Sequence, residues 1–246
     1  MVFVFEKKTM QTSKRTTTKY QPKGLTILFE DREIIVIDKP PGLLSIGTDR
    51  DKSRTAHSIL NEYVRKGDPR SRNRVYIVHR LDRETSGILI LAKSEAAKIF
   101  LQGHWQETDK RYLTVVHGTL TQKTGTISSY LTENSAFKVF STPDPVLGKL
   151  SRTEYMVLKE TRGFSLLEVH LLTGRKHQIR VHLSEQGHPV VGDRKYGKGN
   201  DAFAALALHA RSISFTHPVS GKRLTFETGI PDFITRLVGI IEAPAN

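Results

Sequence analysis

The residues best placed to do chemistry lie in His79-Arg80-Leu81-Asp82-Arg83-Glu84-Thr85-Ser86-Gly87, where Asp82 stands between two arginines. This polar run separates Val75-Tyr76-Ile77-Val78 from Ile88-Leu89-Ile90-Leu91-Ala92. Short apolar, β-branched runs bounded by turn residues are the pattern of buried strands, so Asp82 is expected on a loop gripped by a sheet. A carboxylate held rigidly among cations can act as a nucleophile or base on an anionic substrate. The same cluster is also what a surface ion pair of little energetic consequence looks like. The rest of the chain must decide between them.

A second cluster is Leu172-Thr173-Gly174-Arg175-Lys176-His177-Gln178-Ile179-Arg180-Val181-His182-Leu183. Thr173-Gly174 supplies a turn into a helix expected from about 176 to 185, and its N-terminus, flanked by Arg175 and Lys176, suits anions. Ile179 and Leu183 fall on one face at i and i+4, and Arg180, about 100° round from Ile179, borders the same buried edge. A partly buried arginine needs an acid, and Asp82 is the attractive partner. His170, His177 and His182 do not make a zinc motif, since no HExxH occurs and the 177/182 spacing is not i, i+4. No metal site is therefore expected. The glycines at 192, 197 and 199 match neither phosphate-loop pattern, and Gly192-Asp193-Arg194-Lys195-Tyr196-Gly197 is expected to be a structured turn adding positive charge.

The elements that must hold these residues follow from the pattern of the remaining chain. Its 246 residues, 37% hydrophobic, suffice for a real core. The absence of cysteine excludes disulfides, thiol catalysis and cysteine-ligated zinc, and fits a reducing cytoplasm. No apolar run approaches the roughly 20 residues that cross a bilayer. A net charge of +13 points to nucleic acid as the polyanionic partner. Five lysines and one arginine without an acid between residues 7 and 23 make residues 1–24 a flexible basic arm. Residues 25–246 are expected to form one domain. A hairpin is expected at Leu25–Phe29 and Ile34–Ile37, and helices at 56–65, from Ser94 to 106 or 107, and at 231–241. Further strands are expected at 111–116, 124–130, 152–159, 164–172, 211–216 and 222–228, with 141–150 a long mobile loop. Strands outnumber helices and short turns link many of them, which predicts an α+β fold on a mixed, mainly antiparallel sheet.

The Asp82 nonapeptide resembles the signature of the RluA-type pseudouridine synthases. Asp38-Lys39-Pro40-Pro41-Gly42-Leu43 resembles that family's first motif, Lys110-Arg111-Tyr112-Leu113 its tyrosine motif, and the 172–182 segment its late arginine motif. Gly187-His188-Pro189-Val190-Val191-Gly192-Asp193 continues the last, and Leu208-His209-Ala210 matches a further short element. The matches run in family order over about residues 25 to 230. The resemblance implies that Asp82 is the catalytic aspartate of uridine-to-pseudouridine isomerisation, with Tyr112 and Arg180 as its conserved partners. It implies that Arg80 helps fill the space left by a flipped base, that Arg175 and His177 bind substrate, and that Leu208 walls the base pocket. The reaction breaks the C1′–N1 bond, turns the uracil and rejoins it through C5, so no redox change and no cofactor are expected. Arg180 beside Asp82 would favour the charged carboxylate, and Tyr112 would stack on the uracil and take part in removing the C5 proton. Many relatives carry an N-terminal S4-type domain, for which the residues before Leu25 leave no room, so a compact member acting on tRNA or rRNA is expected; with no strong hydrophobic surface pattern in the sequence, a monomer is expected. The rivals are a non-catalytic RNA-binding or RNA-chaperone protein on the same fold, and a glycoside hydrolase with Glu84 as second carboxylate. The second is the weaker, because Glu84 better suits bracing Arg83 or a backbone amide.

Overall fold

The computed structural model describes residues 22–47, 54–197 and 203–239; most of the basic arm, Gly199 and the end of the expected last helix lie outside them. The amino-terminal hairpin is β1 (Thr26–Glu30) and β2 (Ile34–Lys39), with Asp31 Oδ1 accepting the Glu33 and Ile34 amides at 2.8 Å to close its turn. Helix α1 (Ala56–Arg65) follows, its start fixed by a capping box in which Thr55 and Ser58 bond each other's backbone amides. Next come β3 (Tyr76–Ile77), β4 (Ser86–Ala92), α2 (Glu95–Gly103) and β5 (Asp109–His117). The carboxy-terminal half contributes β6 (Thr124–Glu133), β7 (Val139–Thr142), β8 (Lys149–Thr161), β9 (Phe164–Leu171), α3 (Gln178–Glu185), β10 (Leu208–Thr216), β11 (Arg223–Glu227) and α4 (Asp232–Val238).

All these strands join one sheet in the order β1-β2-β4-β10-β5-β9-β8-β6-β7, with β3 also on β4 and β11 also on β10. Among these strand pairs only β4–β10 is parallel, so the sheet is mixed and mainly antiparallel. Strands β2 and β4 are buried on both faces, which is why their sequences are continuous apolar runs and do not alternate. Ile35, Ile37, Leu89 and Leu91 pack beneath α1, whereas Ile34, Val36, Ile88 and Ile90 pack with α2 on the other face.

The parallel junction is short: His209 pairs with Ser86 and Ala210 with Gly87. It needs a glycine. Gly87 has φ +108°, and a Cβ there would lie 2.3 Å from the Ala210 carbonyl oxygen. Behind it, Ser86 Oγ meets His209 Nδ1 at 2.8 Å and His209 Nε2 meets Thr228 Oγ1 at 2.7 Å, stitching β4, β10 and the end of β11 together.

Four expectations needed correction. Residues 141–150 are not a long loop: β7 runs to Thr142 and β8 starts at Lys149, with Asp144 capping the intervening turn through the Val146 and Gly148 amides. Pro143 and Pro145 had interrupted the strand pattern. Helix α2 stops at Gly103, and a separate 3-10 turn at Trp105–Glu107 swings Trp105 onto His79, ring centroids 4.5 Å apart. Helix α3 starts at Gln178 because His177 adopts a left-handed conformation. Strand β10 begins three residues early, at Leu208, because it must reach Ser86 and Gly87.

Candidate active site

Asp82 sits in the loop between β3 and β4, just before the parallel junction. Its neighbours on both sides are pinned. Ser45 Oγ donates to the Leu81 carbonyl at 2.8 Å and accepts the Leu81 amide at 3.0 Å, and the Leu81 side chain is buried under α1. The Arg83 carbonyl accepts from Lys39 Nζ at 3.2 Å and from the Gly42 amide at 2.8 Å. The Asp82 carbonyl itself accepts the Thr85 amide at 3.2 Å, closing the turn. The backbone on either side of the carboxylate is therefore fixed, and its side chain, 24% exposed, opens to a cleft.

Lys39 is the buried peg of this arrangement. It is fully buried and also donates to the Pro40 and Leu43 carbonyls at 3.0 and 2.8 Å. Burial lowers its ammonium to about 8, against the pull of Asp82, Glu84 and Asp38. His79 pins the far end of the loop: its Nε2 accepts the Ile90 amide at 3.0 Å, and burial, with Lys110 nearby, holds its pKa at about 3, so the ring is neutral.

The cation expected beside Asp82 is present. Arg180 Nη1 donates to Asp82 Oδ2 at 3.0 Å although the two are 98 positions apart. Its larger attachment was not foreseen. Arg180 Nε and Nη2 each reach a carboxylate oxygen of Asp193 at 2.8 Å, and that side chain is fully buried. The segment expected to add positive charge thus supplies the counter-ion for Arg180. Asp193 is held in place by accepting the Lys195 and Tyr196 amides at 2.9 and 3.0 Å. Burial opposes the charge on both partners, but their mutual hydrogen bonds and attraction prevail, raising Arg180 and lowering Asp193. The pair is a bidentate, fork-on-carboxylate contact that orients the guanidinium before it meets Asp82.

Other expected residues gather around the same cleft, about 670 Å³ in volume, within the range of small-ligand sites. Tyr112 of β5 and Leu208 of β10 line it, and Tyr112 packs against two of the apolar clusters of the core. Burial and the charge of Asp82 both push the Tyr112 phenol upward, so it stays protonated. Arg80, Arg175 and His177 also line the cleft, the two arginines exposed at its rim. Six cationic side chains (Arg80, Arg83, Lys110, Arg175, Lys176 and Arg180) face two carboxylates, Asp82 and Glu84. The cleft is thus shaped for an anionic ligand. The three histidines weighed for zinc are dispersed: His170 lies between Asp109 and Glu154, His177 in the cleft, and His182 against Ser129 and Thr153.

A sequence model of the family described as RNA pseudouridylate synthase matches residues 33–185, from β2 to the end of α3. The chain belongs to that family. An uncharacterised RNA pseudouridine synthase of Bacillus subtilis is 34% identical over 223 residues, covering 89% of this chain and 77% of its own length. The ribosomal large subunit pseudouridine synthase D of Nitrosomonas europaea is 38% identical over 231 residues, covering 88% of this chain and 65% of its own length. Human RNA pseudouridylate synthase domain containing 4 shares the fold with a TM-score of 0.72 at 23% identity, over 85% of this chain and 90% of its own. Human RNA pseudouridylate synthase domain containing 1 gives 0.68 at 27% identity, over 85% and 84%. An RNA pseudouridine synthase is an isomerase, and the charge of the cleft suits the RNA on which the family acts. Among the described residues no helix is long and apolar enough to cross a membrane.

Four residues that organise this pseudouridine synthase site escaped sequence reading: Ser45, Lys39, Asp193 and Tyr196. Lys39 and Asp193 lay inside motifs already noted, and each carried a signal. Lys39 ends a strand whose preceding residues are almost all apolar, and Asp193 is the lone acid of a basic turn. Ser45 carried none.

Proposed function

We propose that this chain isomerises a uridine, flipped out of a structured tRNA or rRNA, to pseudouridine, with Asp82 as nucleophile or base. The observation that carries the reading is the pinned Asp82 carboxylate, 3.0 Å from Arg180 Nη1, in a cleft lined by Tyr112 and Leu208 and rimmed by cations. A base inside a helix cannot reach a carboxylate, so the nucleotide must leave its stack. Arg80, exposed and lining the same cleft, would occupy the gap left in the RNA, and its exposure supports that role. Arg175 and Lys176, also exposed along the cleft, suit the flanking phosphates.

In the cleft, Tyr112 and Leu208 give the uracil an apolar and aromatic surface. A phenol kept protonated by burial and by Asp82 is a poor base, which favours stacking over removal of the C5 proton for Tyr112. Arg180, already saturated on one side by Asp193, holds Asp82 without collapsing onto it. Asp82 then either bonds to C1′ as N1 departs or takes a sugar proton on the way to a glycal. Both routes regenerate the carboxylate when C5 joins C1′.

The test is release of tritium from RNA carrying 5-tritiated uridine. The unaltered chain should release it from cellular RNA, whereas Asp82→Asn should release none while binding RNA within a few-fold. Full activity in that variant would sink the role of Asp82. No release from any cellular RNA would favour the non-catalytic RNA-binding alternative. Mapping pseudouridines in RNA of a deletion strain against its parent then identifies the position.

A further inference from the structure

His177 enters α3 in an unusual state. It is a non-glycine residue at φ 54° and ψ 15°, a conformation that side chains with a Cβ seldom take. What holds it there is its ring. His177 Nδ1 lies 2.7 Å from the Tyr196 hydroxyl, with the two rings edge to face at 5.4 Å. The same hydroxyl oxygen accepts the Val139 amide at 3.0 Å. A phenol has one proton, and among the described residues His177 Nδ1 is the acceptor that stands within reach of it, so that proton is assigned to Nδ1. Nδ1 is then the acceptor of the ring, and the ring's own proton resides on Nε2.

Nε2 faces the cleft. Asp82 Oδ2 lies 3.7 Å from this nitrogen, beyond hydrogen-bonding reach, so the carboxylate does not consume this donor. Burial, together with the charges of Arg180, Lys195 and Lys176, keeps a second proton off the ring despite the opposing pull of Asp82. The ring is thus a neutral group with a single N–H directed into the place where the nucleoside must lie to meet Asp82.

We infer that His177 is a catalytic hydrogen-bond donor, presenting Nε2–H to the uracil oxygen that becomes negative as the glycosidic bond breaks, with Tyr196 as the positioning residue that fixes this tautomer. The inference rests on the isomerase reading above and deepens it. In the step concerned, the C1′–N1 bond breaks with its electron pair staying on N1, so the base departs as an anion whose charge is shared with O2 and O4. Asp82 takes up the sugar side, by bonding to C1′ or accepting a proton from C2′. His177 keeps its proton throughout and donates only a hydrogen bond. When C5 bonds to C1′ the Asp82 carboxylate is regenerated, and the C5 proton is exchanged for one on N1.

A donor aimed at developing charge typically contributes about 10²- to 10³-fold in rate. The experiment uses single-turnover conversion of a transcript carrying the uridine mapped above, followed as loss of the starting nucleoside after nuclease digestion. His177→Ala should be slower by about 10²-fold with RNA affinity unchanged. His177→Gln, whose amide N–H can stand where Nε2–H stood, should recover most of that loss. The decisive arm replaces the target with 5-fluorouridine, whose fluorine stabilises the departing anion and lessens the need for a donor. The His177→Ala deficit should shrink on that transcript, which a purely structural role would not produce. Equal deficits on both transcripts, or a glutamine variant as slow as alanine, would overturn the inference. Tyr196→Phe should be slower than the unaltered chain, and adding it to His177→Ala should cost nothing further, since no tautomer remains to be fixed. Additive losses would reduce Tyr196 to a structural residue. No conversion by the unaltered chain would instead sink the isomerase reading, and the role of His177 with it.

Discussion

Removing Asp193 should separate the support of the site from its chemistry. Arg180 is 5% exposed and makes three charged hydrogen bonds, two to Asp193 and one to Asp82. Asp193→Ala leaves a buried guanidinium with Asp82 as its remaining carboxylate, and strands the Lys195 and Tyr196 amides that Asp193 accepts. Breaking one side of a buried ion pair costs about 3–5 kcal/mol. Water entering the vacated space can satisfy the two amides, so the expected loss is on the order of 4 kcal/mol. Asp193→Asn keeps Oδ1 for the amides and Nη2 but turns an amide N–H toward Arg180 Nε, and should cost roughly half as much. Freed of its anchor, Arg180 closes on Asp82, so tritium release should fall far more than RNA binding. Urea unfolding at pH 7 measures the first effect. Because Arg180 holds the Asp193 carboxyl below its usual range, the stability it contributes is complete above the unfolded-state value of about 3.9. That contribution is lost as pH falls through the lower folded-state value. The gap between the unaltered chain and Asp193→Ala should therefore be constant from pH 7 to about 5 and narrow below about 4. A loss under about 1 kcal/mol, or a gap that does not narrow in acid, would refute this account of the pair.

Lys39→Met fills the same volume but removes the donor to the Pro40 and Leu43 carbonyls; it should destabilise by about 2–3 kcal/mol and lower turnover with RNA affinity intact. Since the native ammonium, at about 8, releases its proton before the unfolded one at about 10.4, the unaltered chain should gain stability relative to that variant between pH 8 and 10, read from urea midpoints; no relative gain would mean Lys39 is not held as described. Gly87→Ala would place a Cβ 2.3 Å from the Ala210 carbonyl oxygen at φ +108°, forcing β4 and β10 apart at the root of the Asp82 loop. It should cost at least about 3 kcal/mol, and an unchanged melting temperature would contradict the close approach.

Much of the fold was legible because its driving pattern is local. The runs 34–37 and 88–92 announced buried strands, and Thr55 and Ser94 stand where helix starts need an oxygen acceptor. The Asp82 loop and the Arg180 partnership were legible too, one from a polar run between strands and the other from charge inside an apolar helix face. The errors came where tertiary demand outweighed local preference. Prolines at 143 and 145 argued for a loop, yet they only frame the short connection between β7 and β8, which flank β6 on either side. Helix propensity carried α2 past Gly103, whereas Trp105 is needed against His79. Gly192-Asp193-Arg194-Lys195 looked basic on average, and averaging hid the one acid that matters.

By itself the sequence singled out Asp82 as the candidate carboxylate, called for a cation from a distant helix beside it, and pointed to an anionic partner. These follow from residue type and from the cost of burying charge alone, which apply wherever the chain runs. Only the tertiary structure decided how the charge of Arg180 is divided between Asp82 and Asp193, which hydroxyl and ammonium pin the loop, and which nitrogen of His177 lies toward Asp82. Those are questions of direction. A hydrogen bond depends on angle and on a few tenths of an ångström between atoms far apart in sequence, and direction is settled only when the sheet brings them together.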